Sequence, residues 1–293
     1  DSSGLICLWV TSNSPREGDL GLSPWSQVSL VLTRALRVGA GKVGQWDVGS
    51  GLSATSHLAS VPGDVSTLLA AAPRGVVNKV VRFGEAPSPS HLERQADKGV
   101  EIAASLTPRA GRDVTGYYSD VTCVSAQSTQ SALQQLVLVG RSDGTVDLFQ
   151  MDVSAPLQTW STDQLLARES SANTAVSLVK WLPNKPTCFV IVDALGNVLL
   201  FDLLLDAHSP VCKDKLPAPF PSQRATAGNP GSVALSGSRP GTSSASLAFI
   251  SDQGHVNVRA LWEGWVRAPE VGKEDLQTRL AEQIGHWSLR TAN

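Results

Sequence analysis

The chain has 293 residues, with 24 Lys and Arg against 26 Asp and Glu, a formal net charge of −2 and a sequence pI near 6.2. Hydrophobic residues make up 42% and charged residues 17%, which is enough apolar material for a sizeable core and argues against wholesale disorder. The near-even charge implies no strongly basic face and argues against nucleic acid as the main partner, because phosphate binding needs clustered Lys and Arg.

The four cysteines, Cys7, Cys123, Cys188 and Cys212, form no C-x-x-C and have no histidine at metal-ligand spacing. Neither a disulfide framework nor a zinc site is supported, and a reduced, intracellular compartment fits best. The most apolar stretch, Cys188 to Leu205, is interrupted by Asp193, Asn197 and Asp202. That excludes a membrane span, which needs roughly 20 apolar residues in a row. No secretory signal opens the chain, and its only methionine is Met151, so the expectation is a chain that begins inside a longer reading frame.

Taken in order, the predicted elements are mostly strands. Asp1-Ser-Ser-Gly4 is a turn leading into LICLWV, and Val28 to Val38 alternates as a second strand. Gly39-Ala-Gly-Lys-Val-Gly44 matches G-x-G-x-x-G, but no helical apolar period follows it. It reads as a glycine-rich loop rather than a dinucleotide site, which needs a helix N-terminus at the pyrophosphate. Val65 to Phe83 holds a hairpin around Arg74-Gly75, and between Trp25 and Phe83 the pattern makes one blade or two. Residues 84–116 are polar with scattered Pro and Gly and read as a surface loop.

From Val121 a repeat is visible. Each unit is a β-rich run, a turn with Asp and Gly, then an alternating strand: LVLVG, Asp143-Gly144, TVDLFQM; then CFVIV, Asp193-Ala-Leu-Gly196-Asn197, VLLFDLL; then LAFIS, Asp252-Gln-Gly254, HVNVRAL. Gly supplies the positive φ of a tight turn and Asp hydrogen-bonds the turn backbone. Val121–Ser125 and Val176–Pro183 add a strand upstream of two units. Residues 206–246 hold six prolines and read as a second loop insertion. Recurring four-stranded units define an all-β, WD-repeat-type β-propeller. Four to five blades fit, as the C-terminal part of a seven-bladed ring, with blades over 1–268 and a helix over 269–289. In that helix Leu276, Leu280, Ile284 and Trp287 recur on one face after Pro269-Glu270. Docking onto the chain's own sheets is the favoured reading of that stripe, ahead of a partner's groove.

The candidate positions are structural. Trp9, Phe149 and Phe201 stand five residues after turn glycines, and packing between neighbouring blades is the reading their recurrence supports. Trp181, Asp202 and the turn residues Asp143, Gly144, Asp193, Gly196, Asp252 and Gly254 complete the set. The five histidines sit in no G-x-S-x-G or H-E-x-x-H context, so no catalytic residue, metal ligand or cofactor-binding residue is assigned.

Ala175 to Leu204 resembles the signature blade of the dynein intermediate chains, a WD-repeat family. Val176, Trp181, Pro183, Pro186, Phe189, Asp193, Val198, Phe201, Asp202 and Leu203 fall on its pattern, while Leu182 stands for the usual Ser and Phe201 for the usual Trp. Two further matches, Asp1–Val10 with Asp19-Leu-Gly-Leu22 and Val28–Val31, and Trp265–Val271 before the helix, resemble the larger intermediate chain of the intraflagellar-transport (second cytoplasmic) dynein. Residues 34–116 depart from the family. The resemblance implies a non-catalytic scaffold without cofactors. It implies binding to the dynein heavy-chain tail, beside a second intermediate chain, light chains and intraflagellar-transport train proteins. The implied setting is the cytoplasm and cytoskeleton, in the cilium or flagellum, for retrograde transport, with neither nucleic acid nor membrane as partner. The alternatives are an axonemal or ordinary cytoplasmic dynein chain and an unrelated peptide-binding adaptor; a nucleotide enzyme built on Gly39–Gly44 ranks last.

Overall fold

A computed structural model describes residues 4–13, 28–38, 57–72, 75–82, 100–108, 119–127, 135–151, 153–168, 174–182, 185–216, 233–235, 245–250, 256–261, 278–285 and 287. These residues are almost entirely β-structure, arranged as five antiparallel sheets in chain order. The first pairs β1 (Gly4–Asn13) with β2 (Val28–Val38). The second is a meander of β3 (Leu58–Val61), β4 (Asp64–Ala71), β5 (Val77–Arg82) and β6 (Val100–Leu106). The third contains β7 (Val121–Ala126), β8 (Leu136–Arg141), β9 (Thr145–Gln150) and β10 (Gln158–Ser161). The fourth contains β11 (Val176–Leu182), β12 (Lys185–Asp193), β13 (Asn197–Asp202) and β14 (Cys212–Lys215). The fifth contains β15 (Val233–Leu235), β16 (Ser246–Ile250) and β17 (Val256–Ala260). One helical turn, α1 (Thr162–Leu165), follows β10, and residues 278–285 form a second helix, α2.

The all-β reading therefore holds, and the hairpins at Asp143-Gly144, at Asp193–Asn197 and around Gly75 are all present. Two loop readings need correction. The segment 84–116 contributes β6, whose Val-Glu-Ile-Ala-Ala-Ser-Leu run alternates and pairs with β5 as a fourth strand. Within 206–246, Cys212–Lys215 and Val233–Leu235 are strands as well. Both lie in short runs free of proline, so every ladder donor is available. The strands read between Trp25 and Phe83 also divide: β2 joins the first sheet and the Gly75 hairpin joins the second.

Why the sheets stack follows from the pleat. Successive side chains point to opposite faces, and antiparallel sheets ordinarily bury only one face. Here β8 is buried along its whole length and β9 is buried at its four inner positions. Val137, Val139 and Phe149 pack with Leu69, Val77 and Leu106 of the second sheet. Leu136, Leu138, Val146 and Leu148 pack with Phe189, Ile191, Leu199 and Phe201 of the fourth. The fourth sheet in turn buries Val190, Val192, Val198 and Leu200 against Leu247 and Phe249 of the fifth. The first strands of the second to fifth sheets lie against one another along this series. Each fully buried aliphatic or aromatic side chain is worth about 1.5–3 kcal/mol, so the stacked faces are the main source of stability.

Candidate functional site

Of the residues singled out in the sequence, Phe149, Trp181 and Phe201 lie at the seams between sheets. At the third–fourth seam, Trp181 of β11 lies opposite Phe189 of β12, and Phe189 opposite Phe201 of β13, making one aromatic row across the fourth sheet. Phe189 and Phe201 stack at 4.9 Å and 3°, and Trp181 meets Phe189 edge-on at 5.3 Å. Trp160 reaches across from β10, its ring 5.4 Å from Phe189 and 5.3 Å from Phe201. Such pairs add about 0.5–1.5 kcal/mol each beyond burial. Both indoles also satisfy their N–H: Trp160 Nε1 donates to the Ala207 carbonyl at 2.8 Å and Trp181 Nε1 to the Ser125 carbonyl at 3.2 Å. Gln127, at the end of β7, donates through Nε2 to the Pro186 carbonyl across the same seam.

The turn residues are engaged as their chemistry predicts. Asp143 Oδ1 accepts from the Thr145 N–H at 3.0 Å and the Thr145 hydroxyl at 2.6 Å. Asp193 Oδ1 accepts from the backbone N–H groups of Leu195 and Asn197 at 2.9 and 2.8 Å. Its Oδ2 meets Arg168 Nη1 at 3.0 Å, so the turn of the fourth sheet is tied to the segment leaving the third. Gly144 and Gly196 have φ of +81° and +77°, in the left-handed region that favours glycine. Asp202 Oδ1 accepts from the Leu204 N–H at 3.1 Å and opens the bend after β13. Trp9 lies in β1 opposite Leu32 of β2. Asp252 and Gly254 lie outside the described residues, as do Leu276 of the helical stripe and Gly39–Gly44. Leu280 and Ile284 of α2 join the core of the third–fourth seam, with Trp287 packed against it, so the stripe docks on the chain's own sheets.

Sequence reasoning missed the charged crosslinks, one at each of three seams. At the second–third seam Arg141 is buried at the end of β8. Its Nε donates to Asp147 Oδ2 at 2.8 Å, both side chains being only 2–3% exposed, and its Nη1 donates to the Gly75 carbonyl at 2.7 Å. Gly75 has φ +70°, and a Cβ there would stand 2.2 Å from Arg141 Nη1, so conformation and close approach both demand glycine. Arg168 serves the third–fourth seam. At the fourth–fifth seam Arg259 Nη2 meets Asp214 Oδ2 at 2.8 Å, but there the partners are 43% and 40% exposed. The only signal in the sequence was that Arg259 occupies, five residues after Gly254, the place where the other hairpins have an aromatic. A groove of about 320 Å³ opens beside this pair, walled by Leu216, Leu247 and Leu261.

Among the described residues no helix is long and apolar enough to cross a membrane. Nor do those residues gather three or more His, Cys, Asp and Glu side chains as a metal site would need. His208 Nδ1 lies 3.3 Å from Gln158 Nε2, another contact between the third and fourth sheets. Burial pushes the Cys188 thiol up to about 12 and the Cys123 thiol up to about 11, which leaves both protonated and poorly nucleophilic at neutral pH.

The class these features define is an all-β protein of stacked antiparallel meanders, whose singled-out side chains in the described part form turns and hold sheets together. No family model matches the chain. Among curated proteins it is 24% identical over 293 aligned residues, 98% of its length, to cytoplasmic dynein 2 intermediate chain 1 of Homo sapiens. It is 22% identical over 229 residues, 74% of its length, to cytoplasmic dynein 2 intermediate chain 1 of Mus musculus. The chain spans about a quarter of the human protein's length (24%) and 20% of the mouse protein's. Both likenesses fall on the branch that the sequence motifs select, and the resemblance to a dynein 2 intermediate chain extends along nearly the whole chain.

Proposed function

We propose that the chain is the propeller portion of a dynein intermediate chain, a non-catalytic scaffold. In this reading residues 1–268 are blades of a WD-repeat propeller and 269–289 the helix that braces them. Trp9, Phe149 and Phe201 are the repeated inter-blade aromatics, and the Asp-Gly turns at 143–144, 193–196 and 252–254 are the repeated corners. The partner is the tail of a dynein heavy chain, in a complex with a second intermediate chain and light chains. The work supported is retrograde intraflagellar transport, in the cytoskeleton of cilia and flagella. The observation that carries the reading is the likeness to dynein 2 intermediate chain 1 over 98% of the chain. The stacked sheets support it physically, because a rigid body whose notable side chains are spent on packing presents surfaces rather than a reaction centre.

The test is a pull-down of the tagged full chain from ciliated cells, read by mass spectrometry. Recovery of the intraflagellar-transport dynein heavy chain with its light chains is the expected result. An axonemal heavy chain instead would keep the scaffold role and change the motor. Recovery of no dynein subunit would overturn the reading and leave a peptide-binding adaptor in its place.

A further inference from the structure

The groove at the fourth–fifth seam opens where the seam before it is filled by aromatic rings. In the fourth sheet Trp181 lies opposite Phe189, and Phe189 opposite Phe201. In the fifth, Leu235 lies opposite Leu247, and Leu247 opposite Arg259. Phe201 and Arg259 each stand five residues after the glycine of their repeat, Gly196 and Gly254, so the two rows are equivalent. The outer strands match as well: Trp160 lies opposite Val146 and Asp214 opposite Val198, each two residues after Gly144 and Gly196. At the third–fourth site Trp160 packs on both phenylalanines. At the fourth–fifth site two leucines, a carboxylate and a guanidinium replace the four rings, and about 320 Å³ is left open. Leu216, Leu247 and Leu261, at most 8% exposed, form the floor, while Asp214 and Arg259, 40% and 43% exposed, stand at the rim.

We propose that this groove is a docking site for one tryptophan side chain of a partner polypeptide, with an acidic residue beside it. The filled seam supplies the shape, since Trp160 occupies the equivalent place with its indole. The volume lies at the lower end of the about 300–1,000 Å³ typical of ligand sites, which suits a single large side chain. The floor is continuous with the core of the fourth–fifth seam, so an inserted ring extends packing that already exists. Arg259 offers a planar guanidinium for the face of the indole, and the Asp214 carboxylate offers an acceptor for its N–H. Lys213 and Arg259 against the single carboxylate of Asp214 leave the rim net positive, which favours an acidic neighbour over a basic one. The exposed Asp214–Arg259 pair holds the rim only weakly, so entry costs little. The inference rests on the register of the sheets and not on the dynein reading, so each stands or falls alone.

The probe is a short peptide, acetyl-Gly-Asp-Trp-Asp-Gly-amide with a fluorinated indole, titrated with the full-length protein and followed by fluorine NMR. Saturable broadening in the millimolar range is expected, together with at least fivefold slower maleimide modification of Cys212, whose free thiol lines the groove. Arg259→Glu leaves the leucine floor in place and is expected to weaken the peptide at least tenfold. Asp214→Trp/Arg259→Phe restores rings at two of the four positions; it is expected to abolish binding and to raise the melting temperature. A fluorine resonance unchanged by the wild-type protein would overturn the proposal, as would equal binding by the wild type and Arg259→Glu. Cys212 resistant to maleimide in the free protein would show a groove already filled, by a second copy if dilution releases it and by the protein's own chain if it does not. Either result would overturn the assignment to a partner.

Discussion

Replacing Arg141 by methionine separates a structural crosslink from a decorative ion pair. The guanidinium holds Asp147 at 2.8 Å and the Gly75 carbonyl at 2.7 Å, with both ionic partners almost fully buried. Asp147 retains the Thr159 hydroxyl at 2.7 Å, which is one hydrogen bond where a carboxylate can accept several. Methionine keeps the aliphatic volume but leaves a buried carboxylate without its cation, a change that typically costs about 3–5 kcal/mol. It also removes the charged donor from Gly75, a bond of about 1.5–3 kcal/mol that overlaps the first figure and is not added to it. Against a typical total stability of about 5–15 kcal/mol, this is a loss of about a fifth at the least. The assay is the guanidinium midpoint of the full chain, with native-state hydrogen exchange of the β8 and β9 amides. The double variant Arg141→Met/Asp147→Asn removes both charges and is expected to regain most of the loss, because neutral polar groups are far cheaper to bury. A cost below about 1 kcal/mol for the single variant, or a double variant worse than the single, would refute the reasoning.

Three further outcomes follow from named contacts. Gly144→Ala puts a Cβ 2.7 Å from the Thr174 carbonyl and 2.8 Å from Thr162 Oγ1 at φ +81°, whereas Gly63→Ala, at φ +83°, meets nothing within 4 Å. Thermal melts should show Gly63→Ala costing about 1–2 kcal/mol for the left-handed backbone alone and Gly144→Ala clearly more. Leu280→Ala and Ile284→Ala each remove a buried side chain from the third–fourth seam and should each cost about 2–5 kcal/mol, with amide exchange rising in α2 before the sheets. The thiols of Cys123 and Cys188 ionise near 9 when unfolded and near 11 and 12 when folded. The unfolded state then binds fewer protons above pH 9, so stability falls as pH rises from about 9 towards 11–12. Cys123→Ala/Cys188→Ala should flatten that alkaline slope, as measured by denaturant midpoints at stepped pH; an unchanged slope would contradict the burial argument.

Much of the architecture was legible because it is local. Alternation located β8, β9, β12 and β13, and the turn glycines set their hairpins, since a positive φ is a requirement of single residues. The recurrence of Phe149 and Phe201 pointed to inter-sheet packing because both stand at a fixed distance from a turn. What stayed hidden depends on distant parts of the chain. Trp160 has no repeat partner in the sequence, and its role appears only when β10 is placed against Phe189 and Phe201. Nothing in the sequence singles out Arg141, because the carbonyl it holds belongs to Gly75, 66 positions away. β6 was masked by the polar, proline-containing run before it, which dominates any window average.

The unequal seams carry a consequence for how the molecule comes apart. Trp160 and Asp214 both sit opposite the residue two places after a turn glycine, so the aromatic contact at one seam and the ion pair at the next are alternative fillings of one site. The aromatic filling is dry and insensitive to salt, while the exposed pair Asp214–Arg259 weakens as ionic strength rises. In a stack where each layer touches only its neighbours, cooperativity is no stronger than the weakest junction. Raised salt therefore takes at most about 1 kcal/mol from the junction of the fifth layer, whose Leu247 and Phe249 stay packed on the fourth, and leaves the aromatic junction of the third and fourth unchanged. The salt-sensitive part of the stability is thus expected in the fifth layer, where amide exchange of β16 and β17 should rise with ionic strength while that of β12 and β13 does not.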